Sequence, residues 1–269
     1  MNLSVGVLLS LGILGLFIVA LAISKPDLGL SALIVVVYTH LSDVLIQNYG
    51  LPSTTQPLIG LLILVILIRR FMYHEEYEGW QQLTVLLGIY MFLGYLSIFY
   101  ASDSALVTET LLYYLKNAVI GLVVIFLIQK EASLKWAIWS LLAAGIFMGT
   151  ISTYQVMTGT FSNDYWGFGR SIDNNIQGFR LWGSIGDSNY YAQIMVALVP
   201  IAVERFLNEK KRIFRLLAGW GAVACVLTIY YTFSRGGFLA LLIVILLIFL
   251  RQPSKPYAGF IMFGLFALA

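Results

Sequence analysis

Charge, cysteine and histidine are scarce in this chain of 269 residues. Charged residues make up 11% of it, against roughly 25% of an average soluble domain. The net charge of +3 is scattered in short groups, which excludes a basic surface for nucleic acid. With one cysteine, Cys225, and two histidines, the chain has neither a disulfide framework nor a spacing typical of a metal site. The glycine-rich stretches lack the G-x-x-x-x-G-K-[ST] pattern of a nucleotide loop, so no cofactor is predicted.

Long apolar runs are abundant, since 60% of the residues are hydrophobic. A hydrocarbon core about 30 Å thick needs ~20 apolar residues per helix. Lipid offers no partner for backbone N–H and C=O groups, so every crossing is expected to be α-helical. The sequence therefore predicts an all-α, polytopic membrane helix bundle that forms a single transmembrane domain over residues 1–269. Its ten apolar runs, each a predicted transmembrane helix, lie at residues 3–24, 28–47, 57–73, 80–100, 109–129, 134–157, 189–207, 216–233, 237–250 and 256–269.

The two ends of the chain differ in character. The first run lacks a basic flank and a small-residue cleavage site, so it is predicted to be a retained helix rather than a signal peptide. The last run, GFIMFGLFALA, stops without a charge after about two-thirds of a crossing. We therefore expect the protein to continue beyond Ala269, with part of the active site in that continuation.

Basic residues fall in alternate connections between the runs, which predicts the orientation of the chain. The positive-inside rule places these connections in the cytoplasm. The linkers around 48–56, 101–108, 158–188 and 234–236 then lie on the outer face, together with the N-terminus. The basic residues are Arg69, Arg70, Lys130, Lys135, Lys210, Lys211, Arg212, Arg215, Arg251 and Lys255.

The linker 158–188 is the longest connection and is rich in glycine, aromatic residues and Asn or Asp. Its aromatic side chains either stack on sugar rings or belong to the interfacial aromatic belt. Arg170 and Arg180 carry positive charge on the predicted outer face, where it is disfavoured, which indicates a binding role. The alternative for Arg180 is an anchor or a salt bridge to Asp173 or Asp187. The aromatic residues are Phe161, Tyr165, Trp166, Phe168, Phe179 and Trp182.

A second polar interruption, Ser234 to Gly237, divides an otherwise apolar stretch. The sequence predicts a hairpin turn in which the two glycines allow a tight reversal and a close approach to a ligand. The guanidinium of Arg235 can grip a phosphate through two parallel hydrogen bonds. The alternative is a snorkelling arginine that stabilises the turn.

Other polar residues carry weaker predictions. Lys116 either snorkels, pairs with Glu109 or joins Arg180 and Arg235 in a cationic pocket. His40 and Asp43 share a helix face, where they form either a polar relay or a local pair. The group of His74, Glu75 and Glu76 is predicted to be a solvated, inert cytoplasmic loop.

The two motifs together resemble those of the O-antigen ligase and polymerase family. These are integral-membrane glycosyltransferases that act on undecaprenyl-diphosphate-linked glycans. The family has an Arg-x-x-Gly-x-x-x-Asp-x-Asn segment before a helix and a later Ser-Arg-Gly turn. The matching residues here are Arg180, Gly183, Asp187 and Asn189, followed by Ser234, Arg235 and Gly236.

The resemblance implies that Arg180 and Arg235 are catalytic and hold the diphosphate of the lipid carrier while the glycan passes to a glycan or lipid acceptor. Preorganised cations stabilise a diphosphate leaving group without a metal. The resemblance also implies a multi-pass protein of the bacterial inner membrane, in contact with membrane lipids, that acts in cell-surface polysaccharide biosynthesis. The predicted substrate-binding residues are Lys116, Arg170, Trp182, Asp187, Asn189 and Ser234.

Two features leave other functions open. The family uses a histidine in a large outer loop after the next helix, which suits a base for the acceptor hydroxyl. This chain has no histidine after His74, so the 269 residues alone are expected to lack transfer activity. A transporter or flippase for a polyanionic lipid would use the same arginines without bond cleavage, and a non-catalytic membrane scaffold is the third possibility.

Overall fold

A computed structural model describes residues 24–174 and 178–251, most of which are helical. The described helices are α1 (Pro26–Tyr38), α2 (Leu41–Tyr49), α3 (Thr55–Met72), α4 (Trp80–Leu96), α5 (Ser104–Leu127), α6 (Glu131–Thr158), α7 (Ser188–Asn208), α8 (Arg212–Tyr231) and α9 (Arg235–Arg251). Short 3-10 helices cover Ser97–Phe99 and Tyr165–Gly167. An antiparallel hairpin of β1 (Ser171–Asn174) and β2 (Gly178–Leu181) lies in the long linker.

Six of the described helices, α3 to α8, are long and apolar enough to cross a membrane. Helices α1 and α2 form a pair bent by 57° that makes a seventh crossing if it counts as one span, and α9 is apolar but shorter. Apart from the small β-hairpin, the predicted all-α class holds throughout the described ranges. The runs at 3–24 and 256–269 lie outside the described residues, so the count of ten crossings stays a prediction.

The break between α1 and α2 falls at His40, within the second predicted run. His40 has a left-handed backbone with φ 54°, which few residues with a β-carbon adopt. Its Nδ1 lies 2.9 Å from a carboxylate oxygen of Asp43. His40 and Asp43 thus form the local pair that was one of the two interpretations of their spacing.

The chain separates into two compact units. The first contains Met1–Leu33 and Thr55–Ala137, and the second contains Ile34–Thr54 and Ile138–Ala269. Each unit therefore draws on two separate stretches of sequence. The single domain over residues 1–269 stays a prediction.

In the first unit, the loop after α3 is held by specific hydrogen bonds. Arg69 donates from Nε and Nη2 to the two carboxylate oxygens of Glu75, at 2.7 and 2.5 Å. Gln129 binds the backbone of Glu78 through both ends of its amide. The loop was predicted to be solvated and inert, and the structure adds that the carboxylate of Glu75 pairs with Arg69. His74 and Glu76 are exposed.

This ion pair leads to a pH-dependent prediction. The hydrogen bonds from Arg69 hold the pKa of Glu75 below its ordinary value. Because the folded-state pKa is lowered, the stabilisation is present above the unfolded pKa of about 4.3 and is lost as pH falls. The Glu75 side chain is 36% exposed, so solvent screening limits the contribution to about 1 kcal/mol. We expect Glu75→Gln to lower the thermal stability at pH 7, and the difference from the wild type to vanish in acid.

Thermal unfolding of the purified protein between pH 3 and 8 measures this effect. Glu76→Gln is the matched control, since Glu76 is exposed and belongs to none of the ion pairs among the described residues. Equal losses in the two variants, or a Glu75→Gln loss that persists in acid, would contradict the prediction.

The core of the second unit is centred on Tyr191, a fully buried residue of α7. Its hydroxyl lies 2.8 Å from Ser152 Oγ and donates to the Met148 carbonyl at 3.3 Å, both on α6. Small residues allow the neighbouring helices to approach closely. A β-carbon at Gly149 of α6 would lie 3.1 Å from the β-carbon of Ala224 on α8. Helices α6, α7, α8 and α9 contribute to this core.

The helix boundaries place the predicted outer linkers and the predicted cytoplasmic turns at alternate helix ends. We expect a cysteine introduced at position 175 to react with an impermeant thiol reagent from outside, and one at position 210 only from inside. The native Cys225 is buried, so the wild-type protein supplies the unlabelled control. The opposite pattern would reverse the orientation and move both arginine motifs to the cytoplasmic face.

Candidate functional site

The candidate site begins at the β-hairpin of the long linker. In its register, Arg180 lies opposite Ile172, and Asp173 lies opposite Phe179. The side chain of Gln155, fully buried on α6, donates to the carbonyls of Asn163 and Gly169. The linker is thus anchored on the helix core and holds the base of the hairpin in place.

Arg180 connects the hairpin to the turn between α8 and α9. Its Nε donates to the carbonyl oxygen of Thr232 at 2.9 Å, across 52 positions of sequence. Thr232 comes three residues before Arg235, so this bond brings the two arginine motifs together. The described ion pairs do not include Arg180 with Asp173 or Asp187, which contradicts the salt-bridge alternative.

The turn before α9 differs from the one expected. Its left-handed residue is Phe233, with φ 49°, whereas Gly236 and Gly237 lie inside the first turn of α9. A β-carbon at Gly237 would lie 2.5 Å from the β-carbon of Ala192 on α7. Gly237 therefore serves helix packing rather than chain reversal. The first two turns of α7 and α9 lie against each other as a result.

Ser234, a predicted substrate-binding residue, caps α9 in the structure. Its buried hydroxyl accepts a hydrogen bond from Gly237 N at 3.1 Å, and its carbonyl accepts one from Phe238 N at 2.9 Å. A serine at this position satisfies helix N–H groups that would otherwise be unpaired. Its role here is to set the direction in which α9 begins.

Arg235 is the first residue of α9, and its side chain is exposed. Within the described ranges, its guanidinium has no recorded hydrogen bond or ion pair, and the same holds for the backbone N–H groups of Arg235 and Gly236. A β-carbon at Gly236 would meet nothing within 4 Å. Open N–H groups at a helix N-terminus favour an anion. A free guanidinium at the same position adds a full positive charge.

The segment before α7 supplies three of the other predicted residues. Asp187 caps α7, since its carboxylate accepts from Tyr190 N at 2.7 Å, and Asn189 is exposed in the first turn. Trp182 is half-buried, and its Nε1 is a buried donor without a recorded partner. Gly183 lies beneath the ring of Tyr191. The structure thus gives Asp187 a structural role, and within the described part of the chain the polar groups of Asn189 and Trp182 have no partner.

Arg170 holds two segments together. Its Nη1 donates to Gln47 Oε1 at 2.9 Å, and its Nη2 donates to the Ser184 carbonyl at 2.8 Å. Both terminal nitrogens therefore have protein partners, whereas the buried Nε has none among the residues that the structure describes. Arg170 positions α2 beside the loop that precedes α7. Its predicted contact with substrate receives no support from this geometry.

Lys116 belongs to α5 in the first unit, whereas both motif arginines belong to the second. Its side chain is exposed, and none of the described ion pairs joins it to Glu109. Its membership of a pocket with Arg180 and Arg235 stays a prediction.

The linker also forms one wall of an open cavity of about 460 Å³ in the second unit. Trp166 is 69% exposed there, and it follows Tyr165 in a pair of left-handed residues with φ 60° and 47°. Amide, carboxylate and aromatic groups surround the space, which suits a polar ring such as a sugar. The lining residues are Asn48, Tyr49, Asn163, Asp164, Tyr165 and Trp166.

Two parts of this arrangement were missed at the level of sequence. The carbonyl of Thr232 is a backbone group, so no side-chain pattern marks it. Asn48 and Tyr49 lie more than a hundred residues before Trp166, and a composition shift in the linker says nothing about them.

The described residues contain no group of three or more His, Cys, Asp or Glu side chains able to hold a metal ion. Comparison of the chain with models of protein families, with curated proteins and with solved structures finds no match in any of the three.

Proposed function

We propose that the protein transfers a glycan from an undecaprenyl-diphosphate-linked donor to a glycan or lipid acceptor, at the outer face of the bacterial inner membrane. The observation that carries this proposal is the hydrogen bond from Arg180 to the Thr232 carbonyl. It brings together two short motifs that resemble those of O-antigen ligases and polymerases. The six long apolar helices fit an enzyme whose substrate is a membrane lipid.

The geometry of the two motifs suits a diphosphate. Among the described residues, the guanidinium of Arg235 has no protein partner and lies beside the open N–H groups at the start of α9, and Arg180 is bound through its Nε alone. Each guanidinium can therefore direct its remaining donors to phosphate oxygens. The packing of Gly237 on Ala192 places the start of α7 beside the start of α9. Because the carboxylate of Asp187 already caps α7, the donors for an anion come from α9 and the two arginines.

The proposed reaction is a displacement at the anomeric carbon of the donor sugar. The acceptor hydroxyl forms a new C–O bond to that carbon as the bond to the diphosphate oxygen breaks. The hydroxyl proton passes to a base, and the negative charge that develops on the diphosphate is stabilised by Arg180 and Arg235. The resemblance implies a histidine as this base. The cavity beside Trp166 provides a surface for the sugar rings of the donor or acceptor.

A transfer assay tests the proposal. Membranes that contain the protein, with any continuation of the chain included, receive a fluorescent glycan on undecaprenyl diphosphate, and the products are separated by mass. We expect the glycan to appear on an acceptor and undecaprenyl diphosphate to be released. The same glycan on undecaprenyl monophosphate is the control donor, and we expect it to react poorly because it offers one phosphate fewer to the arginines.

The main alternative is a transporter or flippase for the same polyanionic lipid. It predicts that donor placed in one leaflet of sealed vesicles moves to the other leaflet with its glycosidic bond intact. Movement without cleavage, in membranes with an acceptor present and with any continuation of the chain included, would replace the transferase proposal.

A further inference from the structure

A polar cavity of about 450 Å³ lies in the first unit, at the end of the helices that the basic residues assign to the cytoplasm. Its walls come from the start of α1, the loop after α3, the end of α5 and the start of α6. Five charged residues line it, namely Lys25, Asp27, Arg69, Glu75 and Lys130. This end of the unit is remote in sequence from both arginine motifs.

Some of the charged side chains in this cavity are paired with each other, and others are not. Arg69 and Glu75 neutralise each other through their paired hydrogen bonds. Asp27 acts electrostatically on Arg69, and Lys130 acts on Glu75, so the four residues form one network. The ammonium groups of Lys25 and Lys130 have no hydrogen bond or ion pair recorded within the described ranges, and both are exposed. The lining therefore keeps an excess of positive charge.

An apolar cavity of about 400 Å³ adjoins the polar one. The two share Tyr77 and Phe126, whose rings meet edge to face at 5.3 Å. The apolar cavity lies between α3 and α5 and is lined largely by aliphatic side chains, with Arg70 at its margin. A charged compartment and an apolar compartment thus meet at one aromatic wall.

We propose that these two cavities bind one anionic glycerophospholipid from the inner leaflet. Its phosphodiester lies in the polar cavity, where Lys25 and Lys130 complement its charge. One acyl chain lies in the apolar cavity, where it packs against the aliphatic side chains of α3 and α5. Trp80 and Trp136 line the two cavities, and tryptophan favours the level at which headgroup and acyl chain meet.

The residues that line the polar cavity determine which charge the lipid headgroup carries. A net-neutral headgroup such as phosphatidylcholine carries a bulky quaternary ammonium that the two free lysines repel. A phosphatidylglycerol headgroup has one negative charge and hydroxyl donors for the carboxylate of Asp27. The proposal therefore selects an anionic lipid rather than any lipid. It does not depend on glycan transfer, because the site is argued from the first unit alone.

Native mass spectrometry of the full chain, purified in detergent and delipidated, tests the proposal. We expect one dioleoyl phosphatidylglycerol to be retained with an affinity at least about tenfold higher than that of dioleoyl phosphatidylcholine. The double variant Lys25→Ala with Lys130→Ala removes this preference. Lys135→Ala is the matched control, because Lys135 pairs with Glu131 at 2.8 Å and does not line the cavity; it retains the lipid as the wild type does.

The acyl chain requires its own variant. Val119 lines the apolar cavity, so Val119→Trp fills it and lowers phosphatidylglycerol binding about tenfold. Leu115→Trp, one turn earlier on the exposed face of α5, leaves binding unchanged. Thermal unfolding without lipid checks that both variants are folded.

Three results would overturn the proposal. One is equal retention of phosphatidylglycerol by the wild type and the double lysine variant. Another is binding of glycerol 3-phosphate as tight as that of the lipid, which would indicate a free phosphate site. The third is the absence of lipid uptake by the delipidated wild-type protein, together with a loss of thermal stability in Val119→Trp. That combination would indicate that another segment of the chain fills the apolar cavity.

Discussion

Arg235→Lys lowers glycan transfer by well over tenfold if Arg235 grips the donor diphosphate, which corresponds to more than about 1.4 kcal/mol of transition-state stabilisation. Lysine keeps the positive charge but loses the planar fork that binds two phosphate oxygens at once. Because the side chain of Arg235 is exposed and has no recorded protein partner within the described ranges, the substitution leaves the helices assembled. The measurement is transfer activity in membranes with matched protein levels.

Arg212→Lys is the matched control for this variant. Arg212 is also the exposed first residue of a helix, α8, but it lies in a predicted cytoplasmic turn. It should retain near-wild-type activity. Near-normal activity in both Arg235→Lys and Arg235→Ala would mean that Arg235 is an anchor for the turn.

Arg180→Lys is expected to cost a similar factor. Lysine cannot reproduce the Nε bond to Thr232 and still direct a planar fork at phosphate. Groups that act as a unit are non-additive, so the double variant Arg180→Lys with Arg235→Lys should lose little more than the worse single one. Losses that multiply would indicate two independent sites.

Gly183→Ala should strongly destabilise the second unit, by about 3 kcal/mol or more. Gly183 has φ 56°, and a β-carbon would lie 2.7 Å from Cζ of Tyr191. The left-handed backbone costs alanine roughly 1 to 2 kcal/mol. The ring cannot move away freely, because its hydroxyl is bound to Ser152 and Met148 within the core.

Gly186→Ala separates the two causes. Gly186 also has a positive φ, 83°, but a β-carbon there would meet nothing within 4 Å, so only backbone strain remains. Thermal unfolding in detergent should therefore rank Gly183→Ala well below Gly186→Ala, and both below the wild type. Equal losses would contradict the contact with Tyr191. Full activity in Gly183→Ala would show that the motif glycine serves neither packing nor chemistry.

The motif glycines show why such residues are only partly interpretable from sequence. The pair Gly236 and Gly237 was expected to reverse the chain, yet Phe233 makes the left-handed turn. At Gly237 a side chain would collide with the β-carbon of Ala192, whereas at Gly236 a β-carbon would meet nothing within 4 Å. A glycine in sequence signals that a side chain is absent without stating whether backbone angle, packing or ligand access is the reason.

The candidate site was predictable in its components and not in its assembly. Arg180 and Arg235 stood out because positive charge is disfavoured on the predicted outer face. Two other predicted residues proved to be helix caps, Asp187 and Ser234, since short polar side chains before an apolar run satisfy helix N–H groups. A cap and a ligand contact draw on the same residue types, so spacing alone does not separate them.

The sequence by itself determined the all-α class and the positions of the long helices, because lipid leaves the backbone no other way to pair its polar groups over ~20 apolar residues. It also located the basic turns, which depend on single residues and their immediate neighbours, whereas the break at His40 interrupts the run 28–47 that was predicted as one helix. Only the tertiary structure decided that Arg180 binds the turn before Arg235. It also decided that Arg170 donates to Gln47 and the Ser184 carbonyl, and that the chain packs into two units. These features depend on contacts between residues far apart in the chain. Every long helix has a similar apolar pattern, so the sequence pattern does not indicate which segments contact each other.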